Sequence, residues 1–383
     1  MPIFDQGYQH WSGKLSGHAW RWLAIARHGV RGGLKNRGVR LFLMISWLPA
    51  LLLATLLCLW GMVERKSDLI VPVVESLQIL DKEVLADPHH YRVEIWTLCF
   101  NYFLQSEVYL SMFLILLVGP NLISQDLRFN ALPLYFSRPL RRIDYFFGKL
   151  AVIGAFIGMV VVVPSLVAYL LGLLFSLDFS ILRDTLPLLL YSLAYGVLIA
   201  LSAGSLILAF SSLSRNSRYV ALFWLAFFMG SGSVATVLEG VDREQRHHAA
   251  FRRSREFQQL SIPPTDRPLT PEEHMQWQQS VQDAHQEMFR SLESRELEAA
   301  KTSWRPLVSY TANLTRLGQQ LLGTEAAWEK LAKLQPANLR QRFLLAVGGY
   351  RYPWCWSAAV LAGLLGFSAC ILHRSIKSLD RLK

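Results

Sequence analysis

Residues 119–149 read GPNLISQDLRFNALPLYFSRPLRRIDYFFGK, between two apolar runs that are each long enough to cross a bilayer. The stretch is short, basic, amphipathic and punctuated by prolines. A loop that only joins two spans needs nothing beyond polar residues. Here Leu127, Ala131, Leu134 and Tyr135 share one helical face, Phe129, Leu132 and Phe136 widen it, and Arg138, Arg141 and Arg142 cluster after it. Asp126 and Arg128 open this segment, and Pro120 is expected to end the run before it. Pro133 limits its regularity and Pro139 stops it, because the residue before a proline avoids the helical region. Asp144 suits the N-cap of the next run, with Lys149 at the membrane interface. The pattern predicts a short helix over 124–138, lying across the ends of two spans, that receives force from a partner.

The flanking runs set the fold class. Residues 41–63, 150–175, 186–210, 219–238 and 354–372 carry no charged side chain, and 95–119 carries only Glu107. Each reaches the roughly 18–20 residues that a spanning helix requires, far beyond the mean globular helix of about 11 residues. The prediction is an all-α integral membrane protein with six transmembrane helices. Residues 1–40 contain no apolar core of a signal peptide, so insertion is expected to use the spans themselves.

Charge gives the expected orientation. With the N-terminus inside, the inside segments 1–40, 120–149, 211–218 and 373–383 hold eighteen Lys and Arg against four Asp and Glu, whereas the outside segments hold twenty-one against twenty-three. The formal net charge of +11 is therefore a topology signal. Nucleic acid is a poor explanation, since the charge is dispersed over four segments without a recognition motif. Cys58, Cys99, Cys355 and Cys370 lie in or beside apolar runs with no metal or redox spacing, and read as small apolar side chains.

Within 18–31, Ala19, Trp22, Leu23, Ala26 and Val30 oppose Arg21, Arg27, His28 and Arg31, the pattern of an interfacial helix whose arginines suit anionic lipid. Gly32 and Gly33 are expected to break it. Pro49 lies inside the first run, where a membrane helix tolerates it. In the outer loop, Val73, Val74, Leu77, Leu80 and Val84 predict a short helix on the bundle. Gln105 and Glu107 sit in the second run; an ionisable group at membrane depth is a functional candidate. Glu107 either lies on a substrate path with Gln105 or faces water in an outer vestibule. Gly154 and Gly158 have the spacing that permits close helix approach, and 211–218 reads as a short turn making spans four and five a hairpin.

Residues 239–353 form the largest part outside the spans, expected to be a mostly helical extracytoplasmic insertion. Helix formers with alternating charge fill 287–301. Leu307, Tyr310, Leu314, Leu317 and Leu321 predict an amphipathic helix on the membrane or on the outer mouth of the bundle. Residues 1–40 are then a cytoplasmic N-terminus, 41–238 hold five spans, and 354–383 hold the sixth span and a basic cytoplasmic tail.

Leu122-Ile123, Asp126-Leu127-Arg128, Ala131-Leu132-Pro133-Leu134-Tyr135, Ser137-Arg138-Pro139, Arg142, Asp144-Tyr145 and Gly148-Lys149 together resemble the signature of ABC-2 type transporter permeases. The six-span plan and the large outer segment before the last span are similar to that family too. The resemblance implies an exporter built as a homodimer or heterodimer of permease subunits, served by separate ATPase subunits that bind ATP and Mg²⁺ and contact a cytoplasmic coupling helix. It also implies a bacterial cytoplasmic (inner) membrane and a non-catalytic chain with no cofactor of its own. The sequence agrees with a split system: no GxxxxGK[ST] phosphate loop occurs, and Gly148-Lys149 lacks both the upstream glycine and the following Ser or Thr. Two alternatives remain. An intramembrane enzyme needs several polar groups at membrane depth, where the chain offers Glu107 and little else, its Glu272-Glu273 pair lying in the loop. A structural membrane component would need no ATPase.

Overall fold

The computed structural model describes residues 20–68, 72, 82–136, 140–176, 180–260, 270–337, 339–347 and 349–378. Every regular element among them is a helix. Hydrocarbon offers no hydrogen bonds, so a spanning backbone must satisfy itself, and uncharged runs of this length do so as helices. Six are long and apolar enough to cross a membrane: Arg37–Glu64, Pro88–Arg128, Arg142–Ser176, Ser180–Leu213, Ser217–Arg246 and Trp354–Ser375, spans 1 to 6 below. The chain is an all-α integral membrane protein.

The helix before span 1, α1 (Arg21–Lys35), runs through Gly32 and Gly33 without the expected break. The reason is packing. α1 lies against span 3, and a Cβ at Gly33 would stand 2.6 Å from Phe156 Cζ, so glycine is what lets the two helices approach. Two helix-interior glycines cost about 1 kcal/mol each relative to alanine, a cost that tertiary packing of an amphipathic face offsets. Trp22, Ala26 and Val30 are at least half-buried on the side of α1 packed against the protein, where an interfacial face was expected, whereas Leu23 is exposed.

Span 1 is two helices, α2 (Arg37–Ile45) and α3 (Leu48–Glu64), offset at Ser46 and Trp47. Pro49 falls in the first turn of α3, where no hydrogen bond needs its missing N–H. Span 2 contains α4 (Arg92–Val118) and α5 (Asn121–Arg128). Pro120 does not end it: Gly119 and Pro120 hold helical φ of −62° and −56°, values that suit the fixed proline ring. α6 (Leu132–Phe136) follows. Span 3 joins α7 (Arg142–Ile157) to α8 (Val163–Ser176) through a π-helical turn at Gly158–Val162. Pro164 lies just beyond; its ring would clash with the carbonyl four residues back, and the extra residue of the π turn displaces that carbonyl.

Span 4, α9 (Ser180–Leu213), touches spans 2, 3, 5 and 6 and forms the centre of the bundle. It extends past the expected boundary and includes Ser211, so the turn to span 5 shrinks to residues 214–216. Span 5 is the start of α10 (Ser217–Leu260), which continues beyond 238 without a break. α11 (Pro271–Thr302), α12 (Tyr310–Leu322), α13 (Thr324–Ala332) and α14 (Arg340–Ala346) precede α15 (Trp354–Ser378), which carries span 6.

Of the two placements expected for α12, the structure takes the mouth of the bundle. Tyr310 and Leu314 are buried, and the Tyr310 hydroxyl donates to Ser202 Oγ of span 4 at 3.0 Å. α13 is fastened to span 2 by Lys330, whose Nζ lies 2.7 Å from Glu94 Oε1. At the same end, buried Arg92 of span 2 holds Glu64 of span 1 through Nε–Oε1 at 2.6 Å, donates to Ser180 Oγ of span 4 at 3.0 Å, and meets His89 Nδ1 at 2.7 Å. Of the outer-loop helix expected over 73–84, only Val84 falls among the described residues, buried in the single turn Lys82–Ala86. The close approach expected at Gly154 and Gly158 does not occur within the chain. A Cβ at either would meet open space, and both line an apolar groove of about 620 Å³ with Gly196 and Ala200 of span 4.

Candidate functional site

The connection between spans 2 and 3 is built by helix endings. The helix expected over 124–138 is instead two pieces. α5 continues span 2 and stops at Asn130, whose φ of +50° is left-handed, a conformation asparagine tolerates better than most residues. The Ala131 N–H reaches back to the Asp126 carbonyl at 2.9 Å, a bond that closes helices ending this way. The chain thereby reverses, and α6 lies beside the start of α7.

That reversal brings four side chains together. Lys149 Nζ lies 2.7 Å from Asp126 Oδ2, and the Tyr145 hydroxyl donates to the same oxygen at 2.6 Å. The Tyr135 and Tyr145 rings are 5.4 Å apart, with the Lys149 ammonium 5.4 Å from the Tyr145 ring centre and 6.0 Å from that of Tyr135. Burial, then the neighbouring Asp126 carboxylate, pushes the Tyr135 phenol above its ordinary range. Charge-assisted bonds of this length are the strong ones, so α5, α6 and α7 are tied into one unit.

A second tie comes from span 4. Ser211 Oγ, fully buried, accepts from the N–H groups of Ile123 and Ser124 at 3.1 and 2.9 Å and donates to the Pro120 carbonyl at 3.0 Å. Ser124 Oγ also donates to the Pro120 carbonyl. Helix starts leave N–H groups without intrahelical partners, and here a neighbouring span supplies the cap.

The residues singled out from the sequence divide accordingly. Asp126, Leu132, Tyr135 and Lys149 turn toward the protein, with Leu132 buried. Phe129 is 72% exposed with the Arg128 guanidinium 5.6 Å from its ring centre, and Arg141 and Arg142 are exposed as well. Asp144 is not the N-cap. It stands at the third helical position, where Oδ2 accepts from the Arg141 N–H at 3.2 Å, and Arg141 takes the capping position. Arg138 and Pro139 lie outside the described residues, as does the side chain of Phe136.

Gln105 and Glu107 separate. Gln105 lines a cavity of about 700 Å³ between span 2, the extension of span 5 and the α12–α14 region. Glu107 is 0% exposed, so it does not face water in a vestibule. Both its carboxylate oxygens, and Ser111 Oγ one turn along, find no hydrogen-bond partner among the described residues.

Sequence reasoning missed Ser211 and the Arg92 cluster. A serine near a helix end has no distinguishing pattern. Arg92 stands just before the second apolar run, where basic residues are ordinary.

Six helices long and apolar enough to span, a short tied connection between the second and third, and a helical cap before the last describe a polytopic membrane protein. The sequence model described as ABC-2 family transporter protein matches residues 40–312, and the chain belongs to that family. It is a membrane permease of an ABC transporter. A comparison with curated proteins finds no match.

Proposed function

We propose that the chain is the permease subunit of an ABC exporter, working with separate ATPase subunits that bind ATP and Mg²⁺ and dock on the 119–149 connection. The observation that carries the reading is the Asp126–Tyr145–Lys149 cluster, because it makes the connection rigid with span 3. A push on exposed Phe129 and Arg141 would then move a span instead of deforming a loop. The eighteen-to-four excess of basic residues supports a cytoplasmic position for this connection and for both termini, in a bacterial cytoplasmic membrane. The 239–353 segment is then extracytoplasmic. Catalysis of ATP hydrolysis is left to the partner, since the chain has no phosphate loop. A second permease subunit, identical or different, completes the transporter, and the open small-residue groove at Gly154 and Gly158 fits such a neighbour.

The test is copurification with an ABC ATPase subunit co-expressed with the chain, followed by ATP turnover in Phe129→Ala and Arg141→Glu. Weaker association and lower turnover are expected. Unchanged association and turnover in both variants would remove the docking surface.

A further inference from the structure

A basic cleft of about 800 Å³ lies in the elbow between α1 and α2, lined by His28, Arg31, Gly32, Leu34 and Lys35 of α1 and Arg40 of α2. Its charge has one sign. Arg27, Arg31 and Lys35 follow at four-residue steps on the exposed side of α1, each a like-charge neighbour of the next, an arrangement that works against the helix. Between Asp5 and Glu64 the sequence holds seven Lys and Arg and no Asp or Glu, so this segment carries no counter-charge of its own. None of His28, Arg31, Lys35 and Arg40 makes a side-chain hydrogen bond or ion pair with another described residue.

The elbow is fixed. Asn36, with φ −71° and ψ 122°, is the extended residue between the two helices, and its side chain accepts from the Gly38 N–H at 2.9 Å. α1 is pressed against span 3: a Cβ at Gly148 would stand 2.8 Å from Ile25 Cβ, and one at Gly29 would run into Val152. Gly32 differs from these glycines. A Cβ there would have nothing within 4 Å among the described residues, so no contact in the protein calls for glycine. What the missing side chain leaves is room for a ligand to reach the helix surface between Arg31 and Lys35.

Beyond Arg40 the exposed side chains turn apolar. Leu41, Met44, Ile45 and Leu48 are all exposed at helical spacing along the start of span 1, which carries no charge from 41 to 63. A cationic cleft at the end of such a run lies at headgroup level in a bilayer, whichever side of the membrane it faces.

We infer that the cleft holds the phosphodiester headgroup of an anionic phospholipid, with Arg31, Lys35 and Arg40 as charge partners and the acyl chains along Leu41, Met44, Ile45 and Leu48. Arginine meets a phosphate through paired N–H donors and lysine as a point charge. Free phosphate or an acidic protein surface would satisfy the cations but leave the apolar row uncovered. A phospholipid satisfies both. The lipid is a resident ligand and not cargo, since its cleft shares no lining residue with the cavity at Gln105. Because α1 is packed on span 3, an occupied cleft joins span 1 to span 3 at the membrane surface.

The experiment uses the full chain in detergent, without ATPase or ATP, and reads retained lipid by native mass spectrometry as phosphatidylglycerol is titrated against phosphatidylcholine. Wild-type protein is expected to retain phosphatidylglycerol in preference, and excess inorganic phosphate is expected not to displace it. Arg31→Gln and Arg40→Gln should each weaken retention about fivefold, the share of one cation near an anionic headgroup. Gly32→Leu keeps every charge but fills the cleft, so it should weaken retention too, whereas diffuse attraction to a basic segment would not notice it. Leucine is the better helix former, so this variant is expected to fold. Arg215→Gln, at the exposed turn between spans 4 and 5, is the control and should change nothing. Thermal melting checks folding, and the wild-type preference decides in place of any variant that fails. Four results would overturn the inference: no preference for phosphatidylglycerol, its displacement by inorganic phosphate, full retention in folded Gly32→Leu, or an equal loss in Arg215→Gln. Retention unchanged in both arginine variants while copurification of an ABC ATPase subunit falls would assign the cleft to a protein partner and overturn it as well.

Discussion

Breaking the Asp126–Lys149 pair separates its structural cost from its transmission of force. The Nζ–Oδ2 distance is 2.7 Å and the two side chains are 11% and 15% exposed, so the pair is mostly out of water. Lys149→Met preserves length but strands the Asp126 carboxylate, keeping only the Tyr145 hydroxyl as a partner. Removing one member of a fully buried pair costs about 3–5 kcal/mol, because the other charge is left uncompensated. Residual solvent contact reduces that here to about 2–4 kcal/mol. In Asp126→Asn/Lys149→Met neither charge remains, and stability should return close to wild type, since replacing a buried pair by neutral groups is often near neutral. Coupling should not return. The purified permease–ATPase complex carrying the double substitution is expected to bind ATPase normally while losing coupled transport by on the order of 5- to 150-fold, the span of a 1–3 kcal/mol coupling energy. Melting in nanodiscs measures the first quantity and ATP-driven transport into vesicles the second. A double variant that is stable and fully coupled would falsify the reasoning, reducing the cluster to a structural brace.

Three further outcomes follow from other ties in the bundle. Ser211→Ala removes the acceptor of two N–H groups and one donated bond; at about 1 kcal/mol for each net hydrogen bond it should cost about 2–3 kcal/mol. Amide exchange at Ile123 and Ser124 should quicken, and unchanged protection there would contradict the cap. Arg92→Met strands Glu64, which is buried, so a loss of about 3–5 kcal/mol is expected; adding Glu64→Gln should recover much of it, as read by melting. Glu107→Gln is expected to alter transport while leaving the complex with ATPase intact on size exclusion, and normal transport would assign the residue no part in the path.

Much of the fold is legible because lipid imposes a long-range rule on a local pattern: a run without charges has to be a helix wherever it ends up. Element boundaries are less so, since they depend on neighbours. Gly32 and Gly33 look like a break until Phe156 of span 3 is seen to need the missing side chain of Gly33. Pro120 looks like a stop, yet its ring accepts the helical φ already present. Asp126 and Lys149 were both conspicuous in the basic stretch, but their pairing depends on the left-handed turn at Asn130, which no periodicity announces. Ser211 had no signal at all, as its role exists only in the partner segment it caps.

Span 2 links these sites mechanically. It runs 41 residues, Pro88–Arg128, about 60 Å at the rise of an α-helix. Along it lie Arg92 in the cluster joining spans 1 and 4, Gln105 in the lining of the cavity, wholly buried Glu107, and Asp126 in the tie to span 3. The helical ladder is broken at Gly119 and Pro120, between α4 and α5, and Ser211 of span 4 clamps that junction through Ile123, Ser124 and Pro120. A rotation imposed at the Asp126 end is therefore either carried through that clamp to the cavity or absorbed at the junction. Spans 3 and 4 are bound to the same end through Lys149 and Ser211, so span 2 cannot turn alone. The arrangement favours movement of spans 2, 3 and 4 as a group, which would carry Gln105 past α12. Distances measured between spin labels at Leu213 and Met275, with and without ATP bound to the partner, would then change together with those from Phe129 to Met275. Movement of Phe129 alone would mean that the connection flexes and span 2 does not transmit.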